Sequence, residues 1–268
     1  MVETVSLHMS LKEIAYLAAL LGNNELVGMD NPFLSVTQEQ FKRELPIMQK
    51  TLEDKQYIEV NFDGSIVVDE LVAVVVNLCC GCDGYLKVDA GGREIQYYLN
   101  QYLGIEMQED KSGECVFQVW PEADAIVQSV LNKIEFTGDD IIGDLNTFTL
   151  TGQVLDKVRE LVDDGKIEEA SSALLEAGVD ALTAGEMVGL MKKPDDFASI
   201  LFVQMKDARA CGLQDLTWLK GRNALWVVKI IVSDEETLYD FSPVPLDSVN
   251  DVIKEFMTQV NSLLGVNA

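Results

Sequence analysis

Basic residues are scarce in this 268-residue chain: 20 lysines and arginines stand against 45 aspartates and glutamates, a formal net charge of −25. Such a balance repels phosphate backbones, which are bound by clustered Lys and Arg, so nucleic acid is not an expected partner. Histidine occurs once, at His8, which excludes a multi-histidine metal site and leaves no histidine base beside an evident nucleophile. No run is long and apolar enough to cross a bilayer; the longest, Leu71 to Cys80, is interrupted by Asn77. The opening MVETVSLHMSLKE lacks a basic stretch followed by an apolar one, so neither a secretory signal nor membrane insertion is expected. Five cysteines, an odd count at uneven spacing, argue against a disulfide framework and fit a reducing, cytoplasmic setting. Phosphate-loop, dinucleotide and nucleophile-elbow glycine motifs are missing as well.

Three of the cysteines fall together in LCCGCDG. The pair Cys79-x-x-Cys82, with Cys80 between, has a spacing that can hold zinc or exchange disulfides. A tetrahedral site needs two more ligands, Cys115 and Cys211 are isolated, and the stretch ends an apolar helix where cysteine packs as a small hydrophobe. The aspartates of DDIIGDLNTFT lack the alternate-residue spacing of a calcium loop and read as an acidic linker. No metal, no cofactor and no catalytic constellation are expected.

What is present is order. SLKEIAYLAALLG is a helix signed at both ends, by Ser10 with Glu13 as a capping box and by Gly22 as a stop. TQEQFKRELPIMQKTLEDKQ repeats the box with Thr37 and Gln40, and Pro46 is expected to kink or split it. A third helix starts near Asp69, four β-type runs follow (YLKVD, REIQYYL, LGIEMQ, CVFQVW), and Pro121 opens a closing helix. After the joint TGDDIIGDLN the series recurs: three helical patterns, then FASILFVQM, DLTWL, ALWVVKIIV and TLYDFS, then Pro243 and Pro245 before a last helix. The recurrence predicts an internal duplication with halves 1–136 and 148–268 flanking an acidic joint, 137–147. The fold class expected is α+β, quasi-two-fold, with a central antiparallel sheet shared by both halves and helices against it and at both ends. One face of that sheet is expected to be covered, because Leu201, Val203 and Met205 alternate with Phe202, Gln204 and Lys206.

TWLKGRNALWVVKI places two tryptophans and three basic residues together. Aromatic and β-branched flanks around Lys220-Gly221-Arg222-Asn223 read as a β-hairpin in preference to a ligand cage, with Gly and Asn able to take positive φ in the turn. YIEVNFDGSIVVDE suggests a two-stranded wing after the first helices, and Lys42, Arg43, Lys50 and Lys55 are the residues a DNA-reading wing would use. Glu39, Glu44, Glu53 and Asp54 interleave with them, which favours a structural wing.

In this layout the chain resembles, distantly, the EspG family, the cytosolic chaperones of mycobacterial type VII (ESX) secretion systems. The resemblance lies in SLKEIAYLAALLG, in TQEQFKRELPIMQKTLEDKQYIEVNFDGSIVVDEL and in LTWLKGRNALWVV, and it covers nearly the whole chain as element order. It implies a binding role without catalysis: holding the helical end of a secreted partner, in that family a PE–PPE heterodimer, soluble until export. Such a role asks for an apolar patch with a charged rim. The candidates are Phe197, Ile200, Phe202, Trp218, Leu219, Trp226, Arg222 and the adaptable Met187 and Met191. Two other classes stay open on the residues alone: a winged-helix transcriptional regulator, and an enzyme whose carboxylates the sequence does not arrange.

Overall fold

The Ser10 hydroxyl accepts a hydrogen bond from the Glu13 N–H while the Glu13 carboxylate accepts one from the Ser10 N–H, at 3.3 and 2.6 Å. This reciprocal cap starts helix α1 (Leu11–Leu20) directly after a short strand, β1 (Ser6–Met9). The computed structural model describes residues 6–137, 145–194, 196–207, 209–232 and 236–265. Thr37 and Gln40 form the same box ahead of α2 (Gln38–Asp54), which runs through Pro46 without splitting. A two-stranded ribbon, β2 (Ile58–Val60) and β3 (Ile66–Val68), turns at Gly64 with φ 82°. The Asp69 carboxylate then caps α3 (Glu70–Gly81) by accepting from the Leu71 and Val72 N–H groups.

Four strands follow as expected, β4 (Gly84–Ala90), β5 (Arg93–Leu99), β6 (Gly104–Glu109) and β7 (Cys115–Trp120), and then α4 (Ala123–Leu131). Pro121 lies one residue outside the Glu122 cap instead of at the first helical position, a correction to its expected role. The later residues form β8 (Phe148–Thr151), α5 (Gly152–Asp163), α6 (Ile167–Glu176) and α7 (Ala181–Lys192). They continue as β9 (Asp196–Lys206), β10 (Arg209–Lys220), β11 (Leu225–Val232), β12 (Thr237–Val244) and α8 (Val249–Leu263). Pro243 sits inside β12 opposite Trp226, and Pro245 caps a single 3-10 turn before α8. Both precede the last helix as expected, Pro243 from within a strand and Pro245 directly before the turn.

Ten strands form one antiparallel sheet in the order β1-β7-β6-β5-β4-β9-β10-β11-β12-β8. Read inward from either edge, the order is the same: a short leading strand, then the four-strand meander in reverse. The two meanders meet at β4 and β9, paired in seven-residue register from Gly84 opposite Gln204 to Ala90 opposite Ala198. Gly84 is required at this seam, since a Cβ there would lie 2.7 Å from the Phe202 ring and 2.9 Å from Leu264. Of the joint 137–147, residues 138–144 lie outside the described residues.

Both faces of the sheet are covered, where one was expected. On one face α4 and α8 lie across the seam and bury Leu86, Tyr97, Ile200, Phe202, Leu216 and Trp218 among others. The opposite face carries two separate caps. Helices α1, α2 and α3 bury Met9, Leu17, Val76, Tyr98 and Phe117 towards one sheet edge. Helices α5, α6 and α7 bury Leu150, Val158, Leu174, Met187, Trp226 and Phe241 towards the other. Trp218 pairs with Val227 and Trp226 with Leu219, so the two indoles point to opposite faces and into different cores.

Both indoles are fully buried, and each leaves its Nε1–H without a partner. Trp218→Ala therefore empties an indole-sized volume and is expected to cost about 3–5 kcal/mol, read as a lower urea midpoint, with Trp218→Phe costing clearly less. A loss below about 1 kcal/mol would place Trp218 at the surface.

Candidate docking site on the central sheet

Between the two helical caps one strip of the sheet has no helix over it. Its floor is the cap-facing side of the three middle strands: Lys87 and Asp89 on β4, Ser199 and Leu201 on β9, and Asp215 and Thr217 on β10. None of these six is buried, although their strand neighbours Leu86, Val88, Ile200, Phe202 and Leu216, facing the other way, are. Three strands at about 4.8 Å spacing make a strip roughly 10–14 Å wide, the diameter of one α-helix with its side chains. The first cap bounds the strip through Tyr85, Tyr98 and Val203, and the second through Leu219, Trp226 and Val228.

Along the second cap the strip deepens into a groove of about 340 Å³ between α5, α7 and strands β9 to β12. Met191, Pro194, Phe197, Ile230 and Tyr239 give it apolar walls, and Arg159 and Asp215 supply charge. Phe197 is 37% exposed, so a large aromatic stands partly free at the mouth. Asp215 accepts a hydrogen bond from the Thr217 hydroxyl at 3.3 Å, yet burial outweighs that bond and pushes its carboxyl above the ordinary range. Across the strip from Asp215, with Leu201 between them, Lys87 pairs with Glu94 at 2.6 Å, and that ammonium holds the Glu94 carboxyl below its usual value.

The sheet also parts beside this groove. Pairing of β10 with β11 runs only from Lys220 opposite Leu225 to Thr217 opposite Val228, whereas β11 stays paired with β12 out to Val232. A β-bulge between Ala210 and Gly212 bends β10 away, and the cleft that opens, about 240 Å³, is lined by Gln214, Leu216, Lys229 and Ile231 with Phe256 of α8. The Gln214 Oε1 in this cleft is buried without a hydrogen-bond partner.

The residues expected to contact a partner divide by burial. Ile200, Phe202, Trp218, Trp226 and Met187 are fully buried, so a docking protein reaches none of them; they shape the sheet beneath the site. Phe197, Met191 and Leu219 line the groove, and buried Met187 forms part of its wall. Arg222 is exposed in the β10–β11 turn, outside the groove, on a separate depression with Leu182 and Lys193. Neither Gly221 nor Asn223 has the positive φ expected of that turn. Gly221 instead packs against the Glu186 carboxylate of α7, which a Cβ there would displace, and Asn223 donates to the same carboxylate through its N–H at 2.9 Å. Leu201, Asp215, Arg159 and Ile230 were not legible as site residues. The one available signal was the alternation that set Leu201 opposite Phe202 in β9.

Two other candidate chemistries fare differently. Cys79, Cys80, Cys82 and Cys115 are buried free thiols; burial pushes Cys80 up to about 11 and Cys82 up to about 12, so they are protonated at neutral pH. The ribbon β2–β3 forms the expected wing, but Lys55 is engaged with Glu13 and Glu114, and Arg43 lies 4.0 Å from Glu39. That part of the basic set is matched by acids.

A mixed α+β scaffold with one helix-wide strip left open on a sheet otherwise covered is the class of molecule this geometry defines. The same fold is found in the Mycobacterium tuberculosis type VII secretion system chaperone EspG5, solved in complex with a PE25–PPE41 dimer. The match has a TM-score of 0.65 at 12% sequence identity and covers 93% of this chain and 95% of EspG5. The sequence itself matches no protein-family model and no curated protein. The expected resemblance thus holds at the level of fold.

Asp215→Asn removes a carboxylate whose ionised form burial disfavours, so the variant is expected to melt higher than the parent at pH 7. The parent binds the extra proton in the folded state, so its deficit grows as pH rises through the ordinary aspartate range and the advantage of the variant disappears below about pH 4. Melting curves at pH 4 and pH 7 check this, and an equal difference at both would contradict it. Gly221→Ala is expected to lower the melting temperature by displacing Glu186, and Glu186→Ala should restore part of that loss.

Proposed function

We propose that the chain is a non-catalytic binding protein of type VII secretion, an EspG-type chaperone that holds the helical end of an export client soluble in the cytoplasm. The observation that carries this reading is the open strip. It is one helix wide, it lies between two helical caps, and an α-helix laid there completes the layer that covers the rest of that face. The shared fold with a chaperone solved on a PE–PPE dimer supports the same reading and makes a PE–PPE-like heterodimer the client class. Half-buried Leu201 and the groove residues Phe197 and Met191 supply the apolar contact, with Lys87, Asp89 and Asp215 fixing orientation. No reacting group is required of the site. The halves 1–136 and 148–268 derive, on this reading, from an internal duplication, and the symmetric strand order supports it.

The test is co-purification with a co-expressed PE–PPE-type heterodimer. Leu201→Arg and Phe197→Asp, both at partly exposed positions, should reduce recovered client at least tenfold while circular dichroism and melting temperature stay near the parent. Arg222→Glu, outside the strip, should leave recovery within about twofold. Full client recovery by both strip variants would refute the site.

A further inference from the structure

The single histidine of the chain lies on the edge strand β1, and the β6–β7 turn brings two carboxylates beside it. One ligand atom each from His8, Asp110 and Glu114 lies within 4.8 Å of the others. His8 and Asp110 are exposed and Glu114 is half-buried. Their backbones are fixed. The His8 N–H donates to the Tyr57 hydroxyl at 3.0 Å, and β1 pairs with β7 so that His8 faces Val116. One oxygen of Asp110 accepts from the Ser112 N–H, the Ser112 hydroxyl and the Glu114 N–H at 2.7, 2.6 and 3.1 Å, which holds the carboxylate in place and leaves the other oxygen free for a ligand.

Charge favours a cation at this point. The Lys55 ammonium sits 3.1 Å from Glu13 and 3.6 Å from Glu114, and it donates to the His8 carbonyl. Asp110 adds a further carboxylate beside Glu114, so negative charge exceeds the single nearby ammonium. An imidazole nitrogen with two carboxylate oxygens is a borderline donor set that suits Zn²⁺ better than Mg²⁺ or Ca²⁺, which take oxygen alone. Bonds of about 2.0–2.2 Å require the three side chains to close in, with the Glu114 carboxylate turning from Lys55, and water completes the coordination. We propose that His8, Asp110 and Glu114 bind Zn²⁺ and so clip the edge strand β1 to the β6–β7 turn. The site is remote from the strip and stands whether or not the docking reading does.

The experiment is calorimetric titration of the full chain with ZnCl2. It is made in a Cys211→Ser background, because Cys211 is the exposed thiol among the described residues. One Zn²⁺ per chain is expected, with binding at least tenfold weaker in His8→Ala and in Asp110→Asn and little heat from MgCl2. The same Zn²⁺ should raise the melting temperature of the parent and not that of His8→Ala. Unchanged affinity in His8→Ala, or no saturable uptake by the parent, overturns the proposal. Circular dichroism of the variants separates lost binding from lost fold.

Discussion

The pairing of β4 with β9 is the constraint on which the rest of the molecule depends. Each half alone is a five-stranded sheet with a long, unpaired inner edge, the arrangement most prone to recruit another chain. Joining the inner edges removes both liabilities and leaves only the four-residue strands β1 and β8 outermost. It also creates the largest shared core, since α4 from the first half and α8 from the second pack across the same seam. Burial there is hydrophobic and non-directional, and direction comes from the ladder register and from Gly84, whose missing side chain lets Phe202 and Leu264 close over the seam.

The seam decides which part of the sheet stays uncovered. Helices α4 and α8 occupy the centre of one face, while on the other the caps belong to separate halves and stop short of each other. The middle strands are left with side chains that are neither core nor surface. Ser199, Leu201 and Thr217 alternate with buried Ile200, Phe202 and Leu216, so one strand serves the core with one side and the open strip with the other. In the second half β10 parts from β11 beyond Thr217, a local departure from the symmetry of the strand order.

Much of this was legible in the sequence. The boxes Ser10–Glu13 and Thr37–Gln40, the helix start near Asp69 and the order of helices and meander strands appear in the fold as read, because capping and periodicity are local. The strands β1 and β8 were missed because four residues carry too little alternation to stand out beside a helix start. Pro243 precedes the last helix as its place in the sequence implies, but it does so from within β12, opposite Trp226. The tryptophan hairpin shows the limit most clearly. Its existence was readable, but the face each indole takes depends on register, and a one-residue change exchanges the faces. With Trp218 opposite Val227, both indoles enter the core, while Phe197, Leu201 and Met191 stay partly exposed, which depends on helices distant in sequence.

The central claim is that the strip between the caps receives a helix. Hydrogen–deuterium exchange of the chain with and without a bound PE–PPE-type heterodimer tests it directly. The account predicts slowed exchange in residues 197–201 of β9 and 213–217 of β10, with the β2–β3 ribbon unchanged. Protection confined to that ribbon, or to the α4–α8 face, would contradict it.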